Sequence, residues 1–129
     1  MREIIVTVNN RAGAVADVTT ALATAGVNIE EIDAEGLVES GIVSLCVDKH
    51  DEGLVALKAA GFEAESEDAL TVRVADRPGA LAEIARRLKK ANINLRSLRI
   101  TGHANQMCDV AIVAEDPAAA RDLLVDCLI

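Results

Sequence analysis

The chain of 129 residues has one aromatic side chain, Phe62, and no Trp or Tyr. Its core must therefore be built from Val, Ile, Leu and Ala. It also offers no platform on which unpaired bases could stack. Cations are scarce: 13 Lys and Arg stand against 21 Asp and Glu, a net charge of −8. Nucleic-acid and anionic-membrane binding both rest on Lys and Arg facing phosphate, so neither is expected here. No apolar run approaches the roughly 18–20 residues of a membrane span. The opening Met1–Val8 is only briefly apolar before Asn9-Asn10 and does not read as a signal peptide. Cys46, Cys108 and Cys127 are an odd number without a CxxC pair. They read as small apolar residues of a reduced, cytoplasmic protein.

What the chain does have is a repeat. Arg11-Ala12-Gly13-Ala14-Val15-Ala16 lies over Arg77-Pro78-Gly79-Ala80-Leu81-Ala82 at an offset of 66. The same offset places Val6 on Val72, Val8 on Val74, Leu22 on Leu88, Ala25 on Ala91, Asn28 on Asn94 and Gly36 on Gly102. Two copies follow, 1–66 and 67–129, joined by a short acidic junction that suggests rigid, side-by-side packing.

Each copy has the same order of elements. Ile4, Val6 and Val8, then Leu70, Val72 and Val74, alternate with a strand's period of 2. Val15, Val18, Leu22 and Ala25 form an apolar helical stripe, repeated by Leu81, Ile84, Leu88 and Ala91. Gly26 and Asn92 suit the left-handed residue that ends a helix. Second strands are expected over 28–36 and 94–102, with Gly36 and Gly102 opening the hairpins. Val43, Leu45 and Val47 mark one inward face of the third strand, whereas Val110 and Ile112 imply a one-residue shift in the second copy. Second helices are expected over 51–60 and 116–127, and a short fourth strand over 62–66. The first copy thus reads βαββαβ. The second has its last strand missing or truncated, which should leave the edge Leu70–Val74 bare for a partner, a second copy or another segment of the chain. The class is α+β: two tandem ferredoxin-like plaits.

A plait alone does not assign a function. Metal-carrying plaits place CxxC in the first loop, where this chain has Asn9-Asn10-Arg11-Ala12-Gly13. His103, Met107 and Cys108 match no standard metal spacing, and His50 reads as a surface residue. Glu31, Asp33 and Glu35 share one strand face but read as solvated. No nucleophile turn or phosphate loop is present. The expectation is no catalysis, no metal and no cofactor. The strand-to-helix turns are more informative. Gly13 and Gly79 allow close backbone approach, and the N–H groups of Ala14, Val15, Ala80 and Leu81 open a helix where an anion is stabilised. Asn10 and Asp76 precede the turns and can cap the helix or meet a ligand's ammonium. The same residues serve equally as ordinary caps and turns.

Asn10-Arg11-Ala12-Gly13-Ala14-Val15 with Ala25-Gly26-Val27-Asn28-Ile29 resembles the ACT domain. Asp76-Arg77-Pro78-Gly79-Ala80-Leu81 with Ala91-Asn92-Ile93-Asn94-Leu95 resembles it more closely still. The resemblance implies an amino-acid-binding, allosteric regulatory module, with the ligand held where two units pair. By position it implicates Asn10 and Asn28 in one copy and Asp76 and Asn94 in the other; with the turn and strand-entry residues beside them, Arg11, Gly13, Ala14, Ile29, Gly79, Ala80, Leu81 and Leu95, these are the candidate ligand residues. The serine-sensing branch carries a His where Val8 and Val74 stand, and Ala12 replaces the usual Pro. With no enzyme or DNA-binding domain in the sequence, the expected protein is a stand-alone, homo-oligomeric sensor acting through a partner protein, with an enzyme among the candidates. The alternative is an interaction subunit of a metabolic enzyme with no ligand of its own.

Charge divides the copies. Residues 1–66 carry four Lys/Arg and twelve Asp/Glu, and residues 67–129 carry nine of each. Glu30 corresponds to Arg96 and Asp33 to Arg99, a contrast that would favour unlike copies pairing over like. Solvated strand faces are the other reading of the same residues.

Overall fold

The computed structural model describes residues 2–129. They divide into two compact units, residues 2–67 and 68–129. The first comprises β1 (Arg2–Asn9), α1 (Ala14–Thr24), β2 (Ile29–Gly36), β3 (Ser40–Val47), α2 (His50–Ala59) and β4 (Glu63–Asp68), with strand order β2-β3-β1-β4. The second comprises β5 (Leu70–Ala75), α3 (Ala80–Lys90), β6 (Leu95–Ala104), β7 (Met107–Ala114) and α4 (Pro117–Leu123), with order β5-β7-β6. Both are antiparallel sheets on the ferredoxin-like plan. The expected α+β class and tandem βαββαβ-like units are what the structure has.

Each unit has its own aliphatic core. Ile4, Val6, Val43 and Leu45 of the first sheet meet Val18 and Leu22 of α1 and Leu57 of α2. Leu70, Val72, Val110 and Ile112 of the second meet Ile84 and Leu88 of α3 and Leu124. The helical stripe starts one residue earlier than the sequence suggests: Ala14, Val18 and Leu22 are buried, as are Ala80, Ile84 and Leu88. Val15, expected inward, is 43% exposed, and Ala25 is the C-cap of α1 rather than part of its face.

The helix ends follow their sequence signals closely. Gly26, at φ 72, donates its N–H to the Ala23 carbonyl, and the Val27 N–H reaches that of Leu22. This paired 5→2 and 6→1 pattern is the Schellman motif. Asn92, at φ 58, repeats it with Lys89 and Leu88.

The one-residue shift in the third strand has a local cause. In the first hairpin Ile32 pairs with Leu45, Ala34 with Val43 and Gly36 with Gly41 without interruption. In the second, Ile100 pairs with Val110 but Gly102 pairs with Asp109, so Thr101 is an extra residue in a bulge. Gly102 therefore does not open the hairpin as expected. The turn falls at Asn105-Gln106, both with left-handed φ, of 53 and 62. The register counterpart of Gly36 is His103, which pairs with Cys108 as Gly36 pairs with Gly41.

The edge of β5 is not bare. Val72 bridges Leu128, the Arg73 N–H donates to the Cys127 carbonyl at 2.8 Å, and the Ile129 N–H donates to that of Thr71 at 3.0 Å. Residues 127–129 thus stand in for the fourth strand. Of the three coverings expected for Leu70–Val74, another segment of the chain is the one found in place of an outside partner, and it comes from the same unit. Removing Cys127–Ile129 is expected to deprotect the Arg73 amide in hydrogen exchange. The Val72 and Val74 amides, which face β7 by alternation, should keep their protection. Unchanged exchange at Arg73 would show that the bridge holds nothing.

A second expectation comes from the outer face of this sheet. Arg73 and Asp109 are register partners joined by two hydrogen bonds, of 2.7 and 3.1 Å. Hydrogen bonding from the guanidinium holds the Asp109 carboxyl below its ordinary value, against an opposing effect of burial. A carboxyl depressed in the folded state stabilises above its unfolded value, about 3.8, and loses that contribution as pH falls through the folded value. Asp109→Asn should therefore flatten the acid limb of the stability curve, read by urea unfolding across the range below about pH 5. An identical acid limb in the variant would show that the pair is indifferent to folding.

Candidate functional site

The strand-to-helix turns are the most closely repeated local structures in the chain. Gly13 (φ 86, ψ −4) and Gly79 (φ 91, ψ −16) both occupy the N-cap in left-handed conformation. Only glycine adopts this readily, because a Cβ there meets the following carbonyl. Neither cap has a side-chain hydrogen bond. The Ala14 and Ala80 N–H groups, expected to be free for an anion, instead close back on the Arg11 and Arg77 carbonyls at 3.3 Å. Val15 and Leu81 follow within the first turn, where helix N–H groups have no intrahelical acceptor.

The two arginines repeat one gesture. Arg11 bonds to the Ala12 carbonyl and to Asp17, and Arg77 bonds to the Pro78 carbonyl and to Glu83. Each folds over its glycine onto an acid of the first helical turn. The sequence reading missed Asp17 and Glu83, although both lie six residues past the arginine and 66 apart.

Asn10 and Asp76 do not cap the helices. Both reach across to the hairpin of their own unit. The Asn10 amide donates to the Leu37 carbonyl, and its backbone N–H donates to that of Glu39. Gly36 makes room: a Cβ there would stand 2.7 Å from Asn10 Oδ1. In the second unit the Asp76 N–H donates to the Gln106 carbonyl, and its carboxylate meets His103 Nδ1 at 2.8 Å. The position held by Gly36 in one copy and His103 in the other thus decides the partner. Beside His103 lies a hollow of about 280 Å³, lined also by Gly102, Asn105 and Met107.

Asn28 and Asn94 stand at the far end of the first helix of each unit. Eleven residues of helix, roughly 16 Å at 1.5 Å per residue, separate them from the turns. No single unit brings Asn10 to Asn28 or Asp76 to Asn94. Asn28 exchanges backbone bonds with Asp48, whose carboxylate accepts its N–H at 2.8 Å. Asn94 donates its side-chain amide to Glu115 at 3.0 Å. Ile29 and Leu95 are half-buried against their cores.

The remaining reactive groups are spoken for. His50 Nε2 lies 2.8 Å from Ser66 Oγ. Burial pushes the Cys108 and Cys127 thiols up from their ordinary value, which keeps them protonated. Cys46 is buried. Among the described residues no group of three His, Cys, Asp or Glu could hold a metal ion. No helix among them is long and apolar enough to cross a membrane.

No protein of curated function matches the chain in sequence. Solved structures do match in fold. Protein BT0572 from Bacteroides thetaiotaomicron superposes with a TM-score of 0.80 at 21% identity, over 99% of this chain and 90% of that one. The ligand-free regulatory subunit of aspartate kinase from Thermus thermophilus gives 0.63 at 21% identity, over 98% and 91%. The regulatory subunit of aspartate kinase from Thermus flavus gives 0.64 at 17%, over 97% and 91%. The ACT domain family model matches twice, over residues 2–60 and 69–124, one match to each copy of the repeat. With both copies matched, the chain belongs to the ACT domain family of regulatory modules.

Proposed function

We propose that this chain is a non-catalytic amino-acid sensor that regulates amino-acid metabolism through a partner enzyme. The observation that carries the reading is the duplicated left-handed glycine turn at Gly13 and Gly79, each opening an eleven-residue helix. The first turn favours a carboxylate through the N–H groups of Val15 and Leu81, which follow the bonded ones of Ala14 and Ala80, and through the helix dipole. Asp76, hydrogen-bonded to His103 through one carboxylate oxygen, has a second oxygen suited to an ammonium. The ligand residues proposed are Asn10, Gly13, Ala14 and Asn28, with Asp76, Gly79, Ala80 and Asn94. Membership of the ACT family supports the regulatory part of the reading. Fold likeness to proteins described as regulatory subunits of aspartate kinase makes an enzyme partner the natural target. A ligand that favours one arrangement over another transmits its presence through that difference in affinity. Homo-oligomerisation is part of the proposal, and light scattering reads it directly.

One observation favours a second reading, an interaction subunit with no ligand of its own. The side chains of Asn10, Asp76 and Asn94 each already have a protein partner. A thermal-shift screen of the twenty amino acids separates the two. A true ligand at 100 times its dissociation constant should add about 2.7 kcal/mol of stability, and Asp76→Ala should abolish much of that gain. No shift with any amino acid at millimolar concentration would sink the sensor and leave the interaction subunit.

A further inference from the structure

We propose that the second unit carries a separate binding site, for a small organic anion with an aliphatic body. The site is a cleft of about 980 Å³ between the end of β5, the flank of α3 and Asp126-Cys127. The same place exists in the first unit, where Thr7, Val8, Arg11 and Ala14 line a hollow of about 350 Å³. Their counterparts Arg73, Val74, Arg77 and Ala80, each 66 residues on, line the large one. Two copies of one fold therefore differ at this matched location in both size and charge.

The size difference traces to how the last helix ends. α2 closes with Gly61 at φ 92, and the Phe62 N–H bonds to the Leu57 carbonyl. This Schellman turn sets Phe62 against the core, where it also walls the small hollow. α4 has no such glycine. Its chain leaves through the Leu124 N–H to Ala120 and the Cys127 N–H to Leu124. No ring fills the place, and the cleft opens.

The charge difference traces to the first helix. α1 carries Thr20, Ala21, Ala23 and Thr24 where α3 carries Arg86, Arg87, Lys89 and Lys90, and all four cations line the cleft. Arg87 is fixed by Asp126 at 2.7 Å and by the Leu123 carbonyl at 2.6 Å. Arg77 leans on Glu83, and Arg73 is held by Asp109. Arg86, Lys89 and Lys90 make no ion pair among the described residues, so three positive charges stand uncompensated in a chain of net −8. The helix dipole favours cations in the last turn of α3. It does not account for the open apolar floor of Val74, Ala75, Ile84 and Met107 below them.

Cations over an aliphatic floor fit an anionic head on an aliphatic body. The volume lies within the range of small-molecule sites. With no aromatic wall, a base or flavin ring would gain no stacking. Arginine and lysine together suit a dianionic head such as a phosphate. This cleft shares Ala80 with the amino-acid reading above but involves neither Asp76 nor Asn94.

Hexyl phosphate is the probe, followed by amide NMR on the full chain, with inorganic phosphate and hexanol as controls. Expected are saturable shifts at Val74, Ile84 and Met107 with a dissociation constant of about 1 mM or below. Each control should bind at least tenfold more weakly. Arg86→Gln/Lys89→Gln/Lys90→Gln keeps good helix formers and should weaken binding at least tenfold, with the spectrum otherwise intact. Asn94→Ala should leave it unchanged. Shifts in the first unit alone, equal binding of inorganic phosphate, or full affinity in the folded triple variant would each overturn the site.

Discussion

Both units hang on one backbone requirement: a strand must hand over to a helix within a few residues and lay that helix back across its own sheet. Gly13 and Gly79 meet it by adopting a left-handed backbone, which an L side chain resists by roughly 1–2 kcal/mol. Once the turn is set, Ala14 and Ala80 face inward. Val18 and Leu22, or Ile84 and Leu88, follow at steps of four. The arginine of each turn then folds over the glycine to an acid of the helix. Units of about 65 residues have little core to spare, so the angle at which the helix meets the sheet matters more than any single surface contact.

Much of this was legible in the sequence, because backbone demands leave residue-specific marks. Gly26 and Asn92 marked helix ends, and alternation at Ile4, Val6, Leu70 and Val72 marked inner strand faces. The helical stripe was misjudged by one residue. Val15 looks like core by composition, but the left-handed turn before it rotates Ala14 into that place. The sequence leaves what covers the edge of β5 open between three candidates, because three residues, Cys127–Ile129, are too few to show a strand pattern, though two backbone bonds suffice to seat them.

The candidate site was less legible than the fold. Sequence spacing identified Asn10 and Asp76 as the polar residues of the turns but not what they face. Their partners lie 27 residues away on the hairpin, and only tertiary structure joins them. Pairing by a fixed offset also assumed equal lengths, and so matched Gly36 to Gly102. The bulge at Thr101 makes His103 the true counterpart.

That extra residue shows how tandem copies drift apart without losing their fold. β6 lies at the edge of its sheet, where an inserted residue can loop out while Val110 and Ile112 keep their places in the core. Everything beyond the insertion advances by one step, so the position where glycine leaves room for the Asn10 side chain in the first copy carries a large side chain in the second. A neutral latch between an amide and a carbonyl is replaced by an imidazole against a carboxylate. A gain of one residue, silent to the core, thereby gives the second copy an imidazole–carboxylate contact where the first has an amide on a carbonyl.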